Sequence, residues 1–292
     1  MKKLIIFLLL IFSLSSCRSY EVTSKNFDSS KEIIILYTNN SSTVNNPDDY
    51  YLNVENVKNN LLNTTPNVTL IDTGNAIDSS NGKYNSYIDV MNKAGYDYSI
   101  LGINDFSNGL DYLYQNIKHA SFKYTFCNMS YNGKKKDIFK KTVPFEVVDY
   151  DGIKVGYIGV ENPMIIEKQP NYFMEDDGIV VNFYNETPEV FFDTVQCSIS
   201  KAKELGAEYI VLISNLDLKA PNVSDLDYSL EDLVGYIKDA NIVINSNDDK
   251  VLNNTYLKDA DNNDVFVVLN GSNNSNFGSV AINNGTITTK AY

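Results

Sequence analysis

Imidazole is almost missing from this sequence: its 292 residues include one histidine, His119. That excludes any site built from several histidines, and it leaves little basis for a Ser-His or Cys-His catalytic pair. Arginine is equally scarce, with only Arg18, and tryptophan is absent. Lys and Arg total 24 against 37 Asp and Glu, a net charge of -13. Nucleic acid and anionic lipid head groups are poor partners for such a surface, because phosphate binding needs clustered cations. The one basic run, Lys134-Lys135-Lys136, reads as a solvated loop. Three cysteines, Cys17, Cys127 and Cys197, are too few for a disulfide framework. One Cys127–Cys197 bridge and two free thiols both remain open. There is no phosphate-cradling Gly-Lys loop, no Gly-x-Ser-x-Gly elbow and no internal repeat. No apolar run reaches the ~20 residues that a membrane-spanning helix needs.

The first residues carry a different signal. Lys2 and Lys3 precede the apolar run Leu4 to Ile11, and Leu14-Ser15-Ser16-Cys17 follows. This is the layout of a secretory signal, and the last four residues resemble a bacterial lipobox that would be cleaved and lipidated at Cys17. The expectation is residues 1–17 as a lipoprotein signal peptide and 18–31 as a polar, flexible tether. Residues 32–292 then form one domain, held by acyl chains to the cell envelope and facing the periplasm or the exterior.

The rest of the chain alternates strand and helix patterns. Ile33-Ile34-Ile35-Leu36-Tyr37-Thr38 and Val68-Thr69-Leu70-Ile71 are continuous apolar runs, the pattern of strands buried on both faces. Asp48-Asp49 opens a helix carrying Leu52, Val54, Val57, Leu61 and Leu62. A second helix, from Tyr87 to Lys93, stops at Gly95. A strand from Asp97 to Leu101 enters the loop Gly102-Ile103-Asn104-Asp105. Val143 to Val148 and Ile153 to Val160 form a hairpin through Asp151-Gly152. Asp193 to Leu205 is a helix before the strand Tyr209 to Ser214. Leu230 to Lys238 is a short helix before Ile242-Val243-Ile244. The final strands are Val265 to Leu269, Ser279 to Ile282 and Thr286 to Thr289. Such alternation indicates α/β architecture, in which loops at the carboxyl ends of strands gather the site. Tyr96, Tyr98, Tyr124, Tyr150 and Tyr157 fall at strand-like positions and are expected in the core.

Six segments in order carry a family resemblance: "IIILYTNNSS", "LIDTGN", "MNKAGYDYSILGINDF", "VPFEVVDYDGIKVGYIGVENP", "AKELGAEYIVLISNLD" and "FVVLNGSNNSNFGSVAI". Together they resemble the N-terminal metal-binding domain of the 5'-nucleotidase branch of the calcineurin-like metallophosphoesterases. The resemblance implies a four-layer αββα double β-sandwich of the α/β (α+β) class, with two divalent metals at one end of the sheets. It also implies the ligand positions. The Asp-x-His of the first loop falls on Asn40 and Ser42, and the bridging carboxylate on Asn75. The Gly-Asn-His-Glu loop falls on Gly102-Ile103-Asn104-Asp105, with Ile103 at the ligand and Asn104 at the proton donor. The later histidines fall on Asn215, Asn247 and Asp249. The C-terminal domain that clamps the nucleobase in bacterial 5'-nucleotidases has no counterpart before Tyr292.

None of these positions holds the expected residue type. Neutral amides cannot bridge or neutralise two dications, Ile103 has no donor atom, and Asn104 does not titrate near neutral pH. The expectation is therefore a non-catalytic binding or interaction module with no cofactor and an unidentified protein or small-molecule partner. Two alternatives stand beside it: a weak or unconventional metal-dependent phosphoesterase, and a receptor for nucleotides or phosphate esters without turnover. Asp72, Asp78, Asp105 and Asp249 form a candidate oxygen-lined pocket for weak Ca²⁺ or Mg²⁺ binding. His119, after a stretch with Leu113 and Ile117, is expected at a helix end in water.

Overall fold

A computed structural model describes residues 20–24, 26–39, 46–77, 87–134, 141–176, 178–219, 228–246, 252–269 and 277–292. In chain order the first half holds β1 (Val22–Ser24), β2 (Ile33–Thr38), α1 (Pro47–Leu62), β3 (Val68–Asp72), α2 (Tyr87–Ala94) and β4 (Tyr98–Ser99). Then follow α3 (Gly109–Ile117), β5 (Lys123–Thr125), β6 (Ser130–Tyr131), β7 (Thr142–Val143), β8 (Phe145–Tyr150), β9 (Ile153–Val160) and α4 (Ile165–Lys168). Next come β10 (Met174–Glu175), β11 (Gly178–Ile179), β12 (Val181–Asn182), α5 (Pro188–Glu204), β13 (Tyr209–Ser214) and α6 (Leu230–Tyr236). The last strands are β14 (Ile242–Asn245), β15 (Leu252–Lys258), β16 (Asp264–Leu269), β17 (Gly278–Asn283) and β18 (Thr286–Ala291).

Fourteen of these strands form two seven-stranded mixed sheets, ordered β1-β8-β9-β13-β14-β16-β15 and β18-β17-β2-β3-β4-β5-β7. The short strands pair separately, β6 with β12 and β10 with β11. One apolar core joins the inner faces of both sheets with α1, α2 and α3. A second lies on the outer face of the first sheet, where Phe191, Phe192, Val195 and Ile199 of α5 and Leu230, Leu233 and Val234 of α6 pack on β8, β9, β13, β14 and β16. The result is the expected αββα double sandwich.

Local chemistry explains the element boundaries. Pro47 and Pro188 stand in the first turns of α1 and α5, where no intrahelical N–H is lost, and Asn46 and Thr187 cap them with side-chain acceptors. The β8–β9 hairpin turns at Asp151 and Gly152, both with positive φ. The five tyrosines expected in the core are buried. Tyr98 stacks on Tyr157 with ring centroids 5.3 Å apart. The Tyr150 hydroxyl bridges Thr69 and Tyr157, the latter at 2.6 Å, which satisfies buried O–H groups between the sheets.

Several elements differ from the sequence reading. β4 covers only Tyr98–Ser99 of the expected strand from Asp97 to Leu101, and the expected strand from Val143 to Val148 is divided between β7 and β8. The short strands β5, β6, β10, β11 and β12 are not among the expected strands. Within the segment expected as a tether, Val22–Ser24 form β1 and pair parallel with Val147–Asp149 of β8. Tyr20 stacks on Phe145 at 4.6 Å and Phe27 packs on Tyr150 at 4.3 Å. These aromatic anchors hold that stretch on the sheet. Helix α5 begins at Pro188, five residues before the expected start, because Thr187 caps it there. β15 pairs antiparallel with β16 despite a polar Asn-rich sequence that gives no strand signal. Residues 1–17 and Cys17, the expected signal and lipidation site, lie outside the described residues, as do Lys135 and Lys136.

Candidate functional site

The parallel order of β2-β3-β4 and of β9-β13-β14 sends their carboxyl ends to one edge of the sandwich. Hydrogen bonds across the two sheets close that edge. Ser246 Oγ, after β14, donates to the Thr73 carbonyl after β3 at 3.0 Å. Asn215 Nδ2, after β13, donates to the Leu101 carbonyl after β4 at 3.4 Å. The Cys127 N–H, after β5, donates to the Gly159 carbonyl of β9 at 2.9 Å.

The loops after β3 and β4 interlock through one carboxylate. Asp105 accepts the backbone N–H groups of Asn75 at 2.8 Å, Ile77 at 2.7 Å and Gly102 at 2.7 Å. Asn75 has positive φ, 58°, and its Oδ1 accepts the Asn104 N–H at 3.0 Å. Gly102 is required there, since a Cβ would overlap the Asn75 amide. Burial pushes the Asp105 carboxyl up to about 6, with the backbone donors pulling it partly back. Asp72 is spent in the same way. It accepts Thr38 Oγ1 at 2.6 Å and the Gly74 N–H at 2.9 Å, and burial raises it to about 7.

Only part of the expected Ca²⁺ or Mg²⁺ pocket falls on described residues. Asp72 and Asp105 hold loops together, and Asp78 and Asp249 lie outside the described residues. So do Asn40, Ser42 and Asn247. Asn75, Ile103, Asn104 and Asn215 are brought to the same edge. His119 is exposed in the turn after α3, where its carbonyl accepts Asn92 Nδ2 at 2.8 Å, and it is not among the residues gathered there.

One residue at this edge escapes the sequence reading. Glu161 follows β9 directly and is fully buried. Its Oε1 accepts Asn215 Nδ2 at 2.8 Å and the Asn162 N–H at 3.1 Å. The Asn162 N–H is shared with Asn215 Oδ1 at 3.0 Å. Asn128 fixes the Glu161 backbone by accepting its N–H and donating to its carbonyl, both at 2.9 Å. Oε2 has no hydrogen-bond partner among the described residues. Burial pushes this carboxyl well above the usual range, against the pull of Asn215 and Asn162. An acidic residue straight after the buried apolar run from Val155 to Val160 is the signal that could have found it. Asn245 Oδ1, at the end of β14, is also buried without a hydrogen-bond partner among the described residues, and the same side chain donates through Nδ2 to the Leu216 carbonyl just after β13.

No protein-family model matches the chain. In sequence it is 29% identical over 167 residues to the 2',3'-cyclic-nucleotide 2'-phosphodiesterase/3'-nucleotidase of Haemophilus influenzae, an alignment covering 51% of this chain and 24% of that protein. In structure it matches the 5'-nucleotidase precursor of Thermus thermophilus with TM-score 0.69 and 17% identity, over 89% of this chain and 54% of that one. It matches the calcineurin-like phosphoesterase YfkN of Bacillus subtilis with TM-score 0.62 and 20% identity, over 89% and 90%. The fold is that of the calcineurin-like phosphoesterases.

This phosphoesterase-fold chain spans between 13% and 26% of the length of the curated relatives it matches. Two expectations are overturned. The sequence reading expects a non-catalytic chain, but the named homologues are nucleotide phosphodiesterases and nucleotidases. It also expects no cofactor, and the likeness to nucleotidases and a calcineurin-like phosphoesterase removes the ground for that. The described residues nevertheless do not fit a pair of transition-metal ions. Among them no three His, Cys, Asp or Glu side chains converge on one point, and both ends of the Asn215 amide are engaged within the protein.

Proposed function

We propose that this chain is a phosphoesterase acting on nucleotide-type phosphate esters at the edge where β3, β4, β9 and β13 end. The observation that carries the reading is the convergence of those strand ends in a fold shared with nucleotidases, beside sequence similarity to a cyclic-nucleotide phosphodiesterase. In open α/β sheets, ligands bind outside the carboxyl ends of the strands. The protein's own contribution is a rigid cleft wall. The Asp105 latch holds the loops after β3 and β4, so the Asn75 and Ile103 positions meet a ligand without a large reorganisation.

The test is turnover of 2',3'-cyclic AMP, 3'-AMP and 5'-AMP by the full chain with Mg²⁺, Mn²⁺ or Ca²⁺. Release of nucleotide product or phosphate with at least one of these supports the reading. Saturable ligand binding without product would overturn it.

Export and lipidation at Cys17 form the second part of the proposal, supported by the Lys2-Lys3, apolar and Leu14-Ser15-Ser16-Cys17 order. Among the described residues, no helix is long and apolar enough to cross a membrane. Labelled palmitate should enter the wild-type chain in bacterial cells, and incorporation that persists in Cys17→Ser would refute lipidation there.

A further inference from the structure

The direction of β1 fixes where the chain enters the fold. β1 pairs parallel with β8, Val22 opposite Val147 and Ser24 opposite Asp149. β8 is antiparallel to β9, so β8 starts beside the end of β9. Phe145 stands opposite Ile158, two residues before β9 ends at Val160. That end of β9 belongs to the candidate-site edge. The chain therefore comes onto the sheet at the site edge and runs away from it along β1. Tyr20 is the first anchor, stacked on Phe145 with ring centroids 4.6 Å apart. At the far end Phe27 packs on Tyr150 at 4.3 Å, and Ser29 Oγ donates to Asp151 Oδ2 at 3.1 Å in the β8–β9 turn.

We infer that the domain, once lipidated at Cys17, stands on the membrane with its candidate-site edge toward the bilayer. The inference rests on the lipidation reading and on the site edge of the phosphoesterase reading, and it needs no turnover. Only Arg18 and Ser19 separate Cys17 from Tyr20. At ~3.6 Å per residue, the Cys17 backbone lies within about 11 Å of the Tyr20 backbone. The two ends of the sandwich are farther apart than that, since the eight residues of β9 alone span about 26 Å. The opposite end holds the β8–β9 turn and the end of α5, where the Glu208 N–H donates to the Lys154 carbonyl at 2.8 Å. A short leash fixed at the site edge turns that opposite end away from the lipid. With a net charge of -13 the surface gains little by lying along phosphate head groups, so the acyl chains and their leash set the pose. Ligands then enter the site from the water layer next to the membrane.

The experiment is energy transfer from a cysteine-linked dye to rhodamine-phosphatidylethanolamine. It uses the lipidated full chain, purified from bacterial membranes and reconstituted in phosphatidylcholine vesicles. Cys127 is buried, and the exposed Cys197 is replaced by Ser so that one label site remains. The dye is carried by Asn104→Cys, exposed after β4 at the site edge, or by Glu204→Cys, exposed at the opposite end of α5. Transfer from position 104 should exceed that from position 204 about twofold or more, given the ~26 Å between the ends. A Gly-Ser insert of about 20 residues after Ser19, with a mean span of about 25 Å, should shrink that difference. If Asn104→Cys fails to fold, Asn108→Cys at the start of α3 takes its place. Equal transfer, or more from position 204, in a chain that carries labelled palmitate overturns the inference and leaves lipidation standing. A difference that the insert leaves unchanged overturns it as well. Absence of transfer at both positions, in a chain without palmitate, ends the lipidation reading and the inference together. Hydrolysis of nucleotides tests the phosphoesterase reading separately from all of these.

Discussion

Asp72, Asp105 and Glu161 are three buried carboxyls at one edge of the sandwich, and their hydrogen-bond partners give them different roles. Asp105 spends its oxygens on backbone N–H groups and acts as a latch. Asp72 spends its own on Thr38 and Gly74. Glu161 keeps one oxygen open. The pH dependence of stability follows from Asp72, whose folded value of about 7 lies above its ordinary 3.8 because burial penalises the charge. A carboxyl raised on folding binds its proton more tightly in the native state. Between about pH 4 and 7 the native state therefore holds more protons, and stability falls as pH rises through that window. At about 1.4 kcal/mol per pKa unit, the upper figure for this group is about 4 kcal/mol. Thermal unfolding of wild type should shift downward as pH rises from about 4 to 7, and Asp72→Asn should flatten part of that slope. A slope unchanged in Asp72→Asn would show that Asp72 does not carry it.

Strands and turns are far more legible in the sequence than the site. β2, β3, β9, β13 and β16 are apolar over most of their length, so a buried-strand pattern locates them. β1 and β15 are not legible. One is three residues long and is held by Tyr20 and Phe27 beside it, and the other is polar and paired on one side only. The glycine framework places Asn75, Ile103, Asn104 and Asn215 at the right edge, because those positions follow strand ends whatever side chain they carry. It says nothing of Glu161, since the residue after β9 reads as the start of a loop. Nor can sequence show that the Asp72 and Asp105 carboxylates are taken up by backbone and hydroxyl donors. At the contact between the sheets, Gly159 lies against the Thr125 carbonyl so closely that a Cβ would overlap it. Gly159→Ala should force β9 away from β5 and cost about 1–3 kcal/mol, the usual range for overpacking. Chemical denaturation measures this, and a variant as stable as wild type would mean that the sheets are less tightly apposed.

For the molecule as a whole, two mixed sheets face each other with helices outside, and the parallel strands deliver the candidate groups to one end. The same geometry serves nucleotidases of several kinds, so a fold of this type does not by itself name a substrate. The assignment to phosphate-ester chemistry comes from the fold together with the named activity of a relative. A sequence with one histidine does not require an inactive protein. Imidazole suits transition metals, whereas oxygen ligands suit Mg²⁺, Mn²⁺ and Ca²⁺.

The decisive measurement is hydrolysis of 2',3'-cyclic AMP by the full chain followed by phosphorus NMR, with and without divalent metal. Wild type should open the cyclic phosphate when Mn²⁺, Mg²⁺ or Ca²⁺ is present. A folded wild-type chain that leaves the resonance of the cyclic phosphate unchanged with Mn²⁺, Mg²⁺ and Ca²⁺ alike would contradict the proposed activity.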